Sequence, residues 1–216
     1  MLLALDTSTP AITVAVHDGT DVRAALTTVD RMRHGELLGP TIAKVLAEAG
    51  GTPADLTRIV VGTGPGPFTG LRVGLVTARA LSDALGIPVD GVCSLDILAA
   101  AVIAERAPGE PFLVATDARR KEVYWATYQP VEPITRLDGP HVTKPADIAW
   151  TGPAFGAGAL QYSGEFPQAG APEFPDAAVL AAAVVRGVVP VRPAEPQYLR
   201  RPDAVPPGPR KPVLQG

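Results

Sequence analysis

The segment LLALDTSTPAITVAV, residues 2–16, contains the pattern that is most informative about the fold, a strand, a turn and a second strand. It begins with a short continuous apolar run, which is typical of a strand buried on both faces. Residues 6–10 then combine short polar side chains with a proline, as tight turns do, and a second apolar strand follows. The Asp18-Gly19 pair favours a hairpin into a third strand, residues 22–29. The chain is therefore predicted to open as a three-stranded antiparallel meander.

The second half of the chain starts with the same pattern. Phe112 to Asp117 is an apolar run that ends in Asp, residues 118–121 form a turn, and Glu122 to Tyr128 alternates like a half-buried strand. The two units match in order and length. Such a match is expected of a duplicated domain.

Helices and short apolar strands alternate between these units, which predicts the α/β class. The predicted helices are residues 37–49, 70–85 and 94–107, and the predicted strands are residues 58–61 and 87–93. Pro40 has to lie in the first turn of its helix or kink it, whereas Thr69 and Ser94 are good N-caps for the next two. Beyond Tyr128 only residues 176–186 are clearly helical.

The composition excludes several classes of protein. Of the 216 residues, 46% are hydrophobic and 19% are charged, so the chain can bury a sizeable core. A net charge of -3 argues against a protein that grips nucleic acid by itself. A single cysteine, Cys93, rules out an internal disulfide framework and a cysteine-built zinc site. Without a basic start or a run of about 20 apolar residues, the chain is predicted to be cytoplasmic, with no membrane contact.

The two Asp-ended turns are candidate phosphate sites. An Asp after a strand can orient a metal-bound water, and turn amides and hydroxyls can hold phosphate oxygens. The alternatives are a plain tight turn closed by an Asx hydrogen bond and, for the charged run at 119–121, an ordinary solvated turn. The candidate residues are Asp6, Thr7, Ser8, Asp117 and Arg119.

A glycine-rich loop at residues 62–70 leads into the second helix. It lacks the lysine of a Walker loop, and its glycines suit close backbone approach to a ligand or to another chain. Gly70, Gly74 and Ala78 then form a stripe of small residues at helical spacing. Such a stripe favours close packing, either on the chain's own sheet or on a partner helix.

Metal binding is not predicted. His17, His34 and His141 are never four residues apart, so no helical metal pair exists, and each is interpreted as a surface or structural residue. Cys93, on an apolar strand, is interpreted as a small buried hydrophobe.

Five blocks of the sequence together resemble the TsaB (YeaZ) family. One difference is Pro67, where the family has Ser. The blocks are residues 3–9, His34 with residues 37–40, residues 64–74, residues 117–124, and residues 197–202.

The resemblance implies an α/β fold of the actin/Hsp70-like ATPase type with two related lobes, the second reduced. The lobes are expected at residues 1–108 and 109–205, followed by a flexible tail at 206–216. Residues 152–158 would be a remnant of an adenosine loop. It also implies a paralogue of TsaD, which binds metal through a histidine pair that this chain lacks.

The expected function is therefore that of a non-catalytic scaffold. In this family the complex transfers threonylcarbamoyl to N6 of adenosine 37 in tRNAs that read codons starting with A. The resemblance implies pairing with TsaD, recruitment of the ATPase TsaE, a homodimer in isolation, and tRNA contact only through the complex. No cofactor is expected to bind tightly, and the resemblance leaves room for ATP or ADP at an interface.

The partner surface implied by the family lies on the first two helices. Its expected residues are His34, Leu37, Leu38, Thr41, Ile42, Val45, Phe68, Gly70, Leu71, Arg72, Gly74 and Ala78. The alternative is an ATP-dependent transferase or kinase-like enzyme of the same fold that uses Asp6 and Asp117. A glycoprotease has little support, because no metal pair or nucleophile site is recognisable.

Overall fold

The computed structural model describes residues 1–200, which form two β-sheets with helices on and between them. The strands are β1 (Leu2–Asp6), β2 (Ala11–His17), β3 (Val22–Val29), β4 (Arg58–Gly62), β5 (Val89–Val92), β6 (Phe112–Asp117), β7 (Val123–Gln129), β8 (Thr135–Thr143), β9 (Ala154–Phe155), β10 (Ala169–Gly170) and β11 (Arg192–Pro193). The helices are α1 (His34–Glu48), α2 (Phe68–Leu85), α3 (Ser94–Arg106), α4 (Ala157–Gln161) and α5 (Ala177–Val185).

The two sheets repeat one topology. In the first, ordered β11-β5-β4-β1-β2-β3, the β1-β2-β3 meander is antiparallel, and β4 and then β5 add in parallel. In the second, ordered β10-β9-β6-β7-β8, the β6-β7-β8 meander is antiparallel, and β9 and then β10 add in parallel. This repetition confirms the predicted meander, the duplication and the α/β fold of two related lobes, with the second reduced to two-residue parallel strands.

The alternation of side chains on β1 explains how the first sheet is covered. Leu3 and Leu5 point to the face packed by α1 and α2, and Leu2 and Ala4 point to the face packed by α3 and α5. All four are buried, so this strand is apolar throughout. Full burial of one such leucine stabilises the fold by about 2 kcal/mol.

The core between the lobes is continuous. One cluster of buried residues combines Leu2 and Ala4 of the first sheet, Leu98 of α3, and Phe112 and Tyr128 of the second sheet. The phenol of Tyr128 stacks beside Phe112, with 5.7 Å between the ring centroids. The lobes therefore share a hydrophobic core on this side.

Two elements within the predicted second lobe, α5 and β11, pack with the first sheet. Helix α5 packs on β1 and β2, and β11 pairs antiparallel with β5, so both belong to the first lobe. Buried α5 side chains such as Leu180 fill the core beneath the first sheet, which explains why the chain comes back to the first lobe after the second sheet. The predicted tail, the end of the predicted second lobe and the last part of the 197–202 block lie outside the described residues.

Local sequence signals misplaced several helix ends. Pro40 lies inside α1 rather than in its first turn, and α2 begins at Phe68, with Pro67 at the N-cap position instead of Thr69. Cys93 takes the N-cap position of α3, because Ser94 is used elsewhere. Within residues 1–200, no helix is long and apolar enough to cross a membrane.

Candidate functional site

The first Asp-ended turn is sealed by the chain's own hydrogen bonds. Asp6 has no exposed surface, and its Oδ1 accepts bonds from the Ser8 amide and hydroxyl, both at 2.8 Å. Its Oδ2 accepts a short hydrogen bond from the hydroxyl of Ser94 at the start of α3. Burial raises the pKa of the Asp6 carboxyl above its usual range, although the bonds from Ser94 and Ser8 oppose the rise. The carboxylate is thus engaged and is closed off from a ligand.

Four glycines at intervals of four residues cover this turn. A Cβ on Gly62 would overlap the Asp6 carboxylate, and one on Gly66 would overlap the carbonyl of Ser8. Gly70 and Gly74 leave room for Thr7, whose hydroxyl donates to the Gly70 carbonyl at 2.8 Å and accepts from the Gly74 amide at 3.0 Å. The predicted close approach of the glycine-rich loop is therefore to its own turn.

Most side chains of the partner surface predicted on α1 and α2 face inward. Nine of its twelve residues are buried against the first sheet, the Thr7 turn or each other, because they form the inward faces of both helices. They are His34, Leu38, Thr41, Ile42, Val45, Gly70, Leu71, Gly74 and Ala78. Only Phe68 and Arg72 are exposed, and Leu37 is half-buried.

The exposed face of α1 carries a different stripe of small residues, which sequence reasoning missed. Gly35, Gly39, Ala43 and Ala47 recur every fourth residue, and all four are exposed. A Cβ on Gly35 or Gly39 would meet nothing within 4 Å. The spacing was visible in the sequence, but burial distinguishes this outer stripe from the inner one.

The second Asp-ended turn has an unusual backbone. Arg119, Arg120 and Lys121 have φ values of 59°, 53° and 61°, the left-handed region that non-glycine residues avoid. Each such residue costs about 1 kcal/mol. The turn is closed by the half-buried Asp117, whose Oδ1 accepts the Arg119 amide at 2.8 Å. The three cationic side chains are all exposed.

A cleft between the lobes brings together part of the predicted phosphate site. A cavity of about 260 Å³ is lined by Thr7, Thr9, Asp117 and Arg119, with Phe68 at its side. Asp6 and Ser8 are not on its wall. Gly156 and Gly158, in the predicted adenosine-loop remnant, pack instead against the β6 backbone.

Residues 197–200 connect the two lobes across this cleft. The Gln197 amide donates to the Thr63 carbonyl at 2.8 Å, and Arg200 donates to the Ala118 carbonyl at 2.8 Å and pairs with Glu122. The Tyr198 ring stacks on Phe68. No sequence signal predicted this crossing.

Two histidines and the cysteine have structural roles. The Nε2 of His34 lies 2.8 Å from the Thr9 carbonyl, and the Nδ1 of His17 accepts the Gly19 amide at 2.9 Å. Burial raises the pKa of the Cys93 thiol to about 12, so it stays protonated at neutral pH. Across residues 1–200, no group of three or more His, Cys, Asp or Glu side chains is placed to hold a metal ion.

Several known proteins are similar to this chain in sequence or in structure. Residues 28–185 match the family described as TsaD: tRNA N6-adenosine threonylcarbamoyltransferase. An uncharacterized protein of Mycobacterium tuberculosis is 47% identical over 95% of this chain and 94% of its own length. The tRNA threonylcarbamoyladenosine biosynthesis protein TsaB of Escherichia coli is 34% identical over 59% of this chain and 54% of its own length. The structure of YeaZ from Pseudomonas aeruginosa superimposes with a TM-score of 0.75 at 33% identity, covering 92% of this chain and 99% of that one.

Proposed function

This chain belongs to the TsaB (YeaZ) family, and we propose that it is a non-catalytic scaffold subunit in the formation of threonylcarbamoyladenosine in tRNA. Its partner in this proposal is TsaD, the subunit that carries the catalytic chemistry, and the ATPase TsaE joins the pair. The reaction class comes from relatives such as that of Bacillus subtilis, which is named a tRNA threonylcarbamoyladenosine biosynthesis protein.

The observation that carries the scaffold proposal is the sealed Asp6 turn. A kinase or transferase of this fold would present Asp6 to a metal-bound nucleotide. Here the carboxylate is fully buried and hydrogen-bonded to Ser8 and Ser94, and a Cβ on Gly62 would already overlap it. Opening the turn for nucleotide would break these bonds and expose the packed glycine loop. The alternative of an ATP-dependent enzyme is therefore disfavoured.

Docking to TsaD is proposed on the outer faces of α1 and α2. The small residues Gly35, Gly39 and Ala43 let a partner helix approach the α1 backbone closely. On α2, the side chain of Val76 is 64% exposed, which supplies apolar surface. Binding at this face would stabilise the conformation of the TsaD loops that is active in the transfer reaction. This chain would thus shift a conformational population and would carry out no chemical step.

Ala43→Arg tests the docking face. Ala43 is exposed on α1, and arginine is nearly as good a helix former as alanine, so the variant should fold about as stably as the parent. Affinity for the cognate TsaD, measured by calorimetry, should fall at least tenfold. The matched control is Ala104→Arg, because that alanine is also exposed in a helix but lies on α3. Equal affinity for both variants would place the docking face elsewhere.

Reconstitution tests the function itself. Transfer of threonylcarbamoyl to tRNA would be measured with TsaD, TsaE and the enzyme that forms the carbamoyl-adenylate, with and without this chain. Dependence on the chain, together with no Mg-ATP binding by the chain alone, is the expected result. Transfer at full rate without the chain, or ATP binding that Asp6→Ala abolishes, would overturn the scaffold proposal.

A further inference from the structure

A basic–aromatic surface lies at the mouth of the cleft between the lobes. It consists of Phe68, Arg72, Arg119, Arg120 and Tyr198, and the exposed Lys121 follows in the same turn. The Phe68 and Tyr198 rings are stacked with 5.2 Å between centroids, and the Arg72 guanidinium lies 3.8 Å above the Phe68 ring. Phe68 is 38% exposed and Tyr198 is 39% exposed, so both rings remain accessible.

The turn that carries three of these cations has an energetically unfavourable backbone conformation. Arg119, Arg120 and Lys121 all have left-handed backbone, where glycine or asparagine would be less strained. Strained residues persist where the surrounding structure over-determines them, and they cluster at functional sites. The unfavourable backbone of this turn therefore indicates that its charged side chains have a function other than stabilising the fold.

The carboxylates nearest to Arg119 and Lys121 in the sequence have other hydrogen-bond partners. Glu122 is paired with Arg200, and the Asp117 Oδ1 accepts the Arg119 backbone amide. Within residues 1–200, Arg119 and Lys121 make no ion pair. Arg119 and Phe68 line one shared cavity of about 170 Å³, which places cation and ring side by side.

We infer that the basic–aromatic surface contacts single-stranded RNA. Unpaired bases stack on aromatic rings and on arginine planes, whereas cations hold the phosphates between them. Phe68, Tyr198 and Arg72 supply the stacking groups, and Arg119 and Lys121 supply phosphate contacts. A base-paired helix would hide the bases from the rings. The identification of this RNA as an unpaired loop of substrate tRNA rests on the proposed function.

The test compares charge and stacking variants. The complex of this chain with its TsaD would be titrated with an unmodified tRNA transcript by fluorescence anisotropy at several salt concentrations. Arg119→Gly relieves backbone strain and removes one phosphate contact. We expect affinity to fall about fivefold and the slope of log affinity against log salt to shrink by about 0.7. Tyr198→Leu should weaken binding and leave that slope unchanged.

The matched control is Arg23→Ala, which removes the same charge from an exposed position on β3, outside the surface. It should change neither the affinity nor the slope. If Arg119→Gly and Arg23→Ala have equal effects, or if Arg119→Gly has none, the inference is wrong.

Photo-crosslinking separates this inference from the proposed function. A tRNA containing 4-thiouridine would be irradiated with the full chain in the presence of TsaD, and the crosslinked peptides would be mapped. Crosslinks on the peptides of Phe68 or Tyr198 support the RNA contact, and crosslinks elsewhere on the chain, or none, overturn it. Size-exclusion chromatography of the same mixture tests pairing with TsaD, so failure to co-elute would overturn only the proposed function.

Discussion

At the scale of the residue, Asp6 shows how a candidate phosphate ligand becomes a structural group. Its side chain organises the Thr7-Ser8 turn, joins that turn to Ser94 of α3 and leaves no oxygen to solvent. Hydrogen bonds to a carboxylate favour its charged form, but complete burial opposes it more strongly. The raised pKa of this carboxyl therefore follows from its position beneath the glycine loop.

The raised pKa of Asp6 predicts a pH dependence of stability. Above about pH 4, the unfolded chain has lost this proton, while the folded chain keeps it up to its higher pKa. Because the native state then binds more protons than the unfolded state, the free energy of unfolding falls as pH rises through this window. Asp6→Asn should flatten that fall, as measured by urea denaturation at a series of pH values.

The control for this prediction is Asp83→Asn, which neutralises an exposed carboxylate on α2. It should leave the slope of stability against pH above pH 4 as it is in the parent chain. A slope that stays the same in Asp6→Asn would mean that another group causes the dependence.

At the scale of the element, α1 and α2 illustrate two uses of small residues. On α2 the glycines are inward and permit contact with the Thr7 turn, whereas on α1 Gly35 and Gly39 are outward and contact nothing. Sequence spacing is the same in both cases. The position of the helix on its sheet decides which stripe is internal packing and which is surface.

Alanine substitutions should separate the two kinds of glycine. Gly70→Ala places a Cβ against the Thr7 backbone carbonyl, which cannot move as a flexible side chain would, so stability should fall by about 1–3 kcal/mol. Gly35→Ala meets open space within a helix and should raise stability by about 0.5–1 kcal/mol. Thermal and urea unfolding of both variants would measure this difference in sign, and a loss of stability in Gly35→Ala would contradict it.

At the scale of the whole molecule, a buried polar cluster joins the lobes. The Asp96 carboxylate on α3 accepts the Tyr128 hydroxyl at 2.8 Å and the Arg136 guanidinium at 2.6 Å, and these two partners lie on β7 and β8. Burial and the Asp96 charge both raise the pKa of Tyr128 well above its usual value, so its hydroxyl stays protonated and donates. The cluster fixes the second lobe on α3 within an otherwise apolar interface.

Removing one partner should be costly. Arg136→Met would leave the Asp96 carboxylate, whose side chain is 2% exposed, without its counter-ion, and we expect a loss of about 3 kcal/mol. The double variant Asp96→Asn/Arg136→Met should recover part of that loss, because the remaining amide is neutral and still accepts from Tyr128. A double-mutant cycle by urea denaturation measures the coupling, and strictly additive effects would show that the pair does not interact.

Much of the framework could be predicted from the sequence alone. Apolar runs and turn residues predicted the first meander, the strands β6 and β7 of the second, and the helices α1, α2, α3 and α5, because the period of hydrophobic side chains is a local property. The short strands β9, β10 and β11 were missed, since two residues carry no period. The third strand of the second meander, β8, was also missed, because its side chains are exposed or half-buried and show no apolar alternation. The matching Asp-ended turns likewise predicted two related lobes.

Which candidate residues are buried and which line the cleft depends on the tertiary structure. Asp6 and Asp117 occupy equivalent places in their units, yet one is sealed and the other lines the cleft. Likewise, the packing of α5 on the first sheet and the crossing at Gln197 and Tyr198 unite residues more than a hundred positions apart in sequence. Burial depends on which elements pack together, and contacts of such long range leave no periodic trace in the sequence.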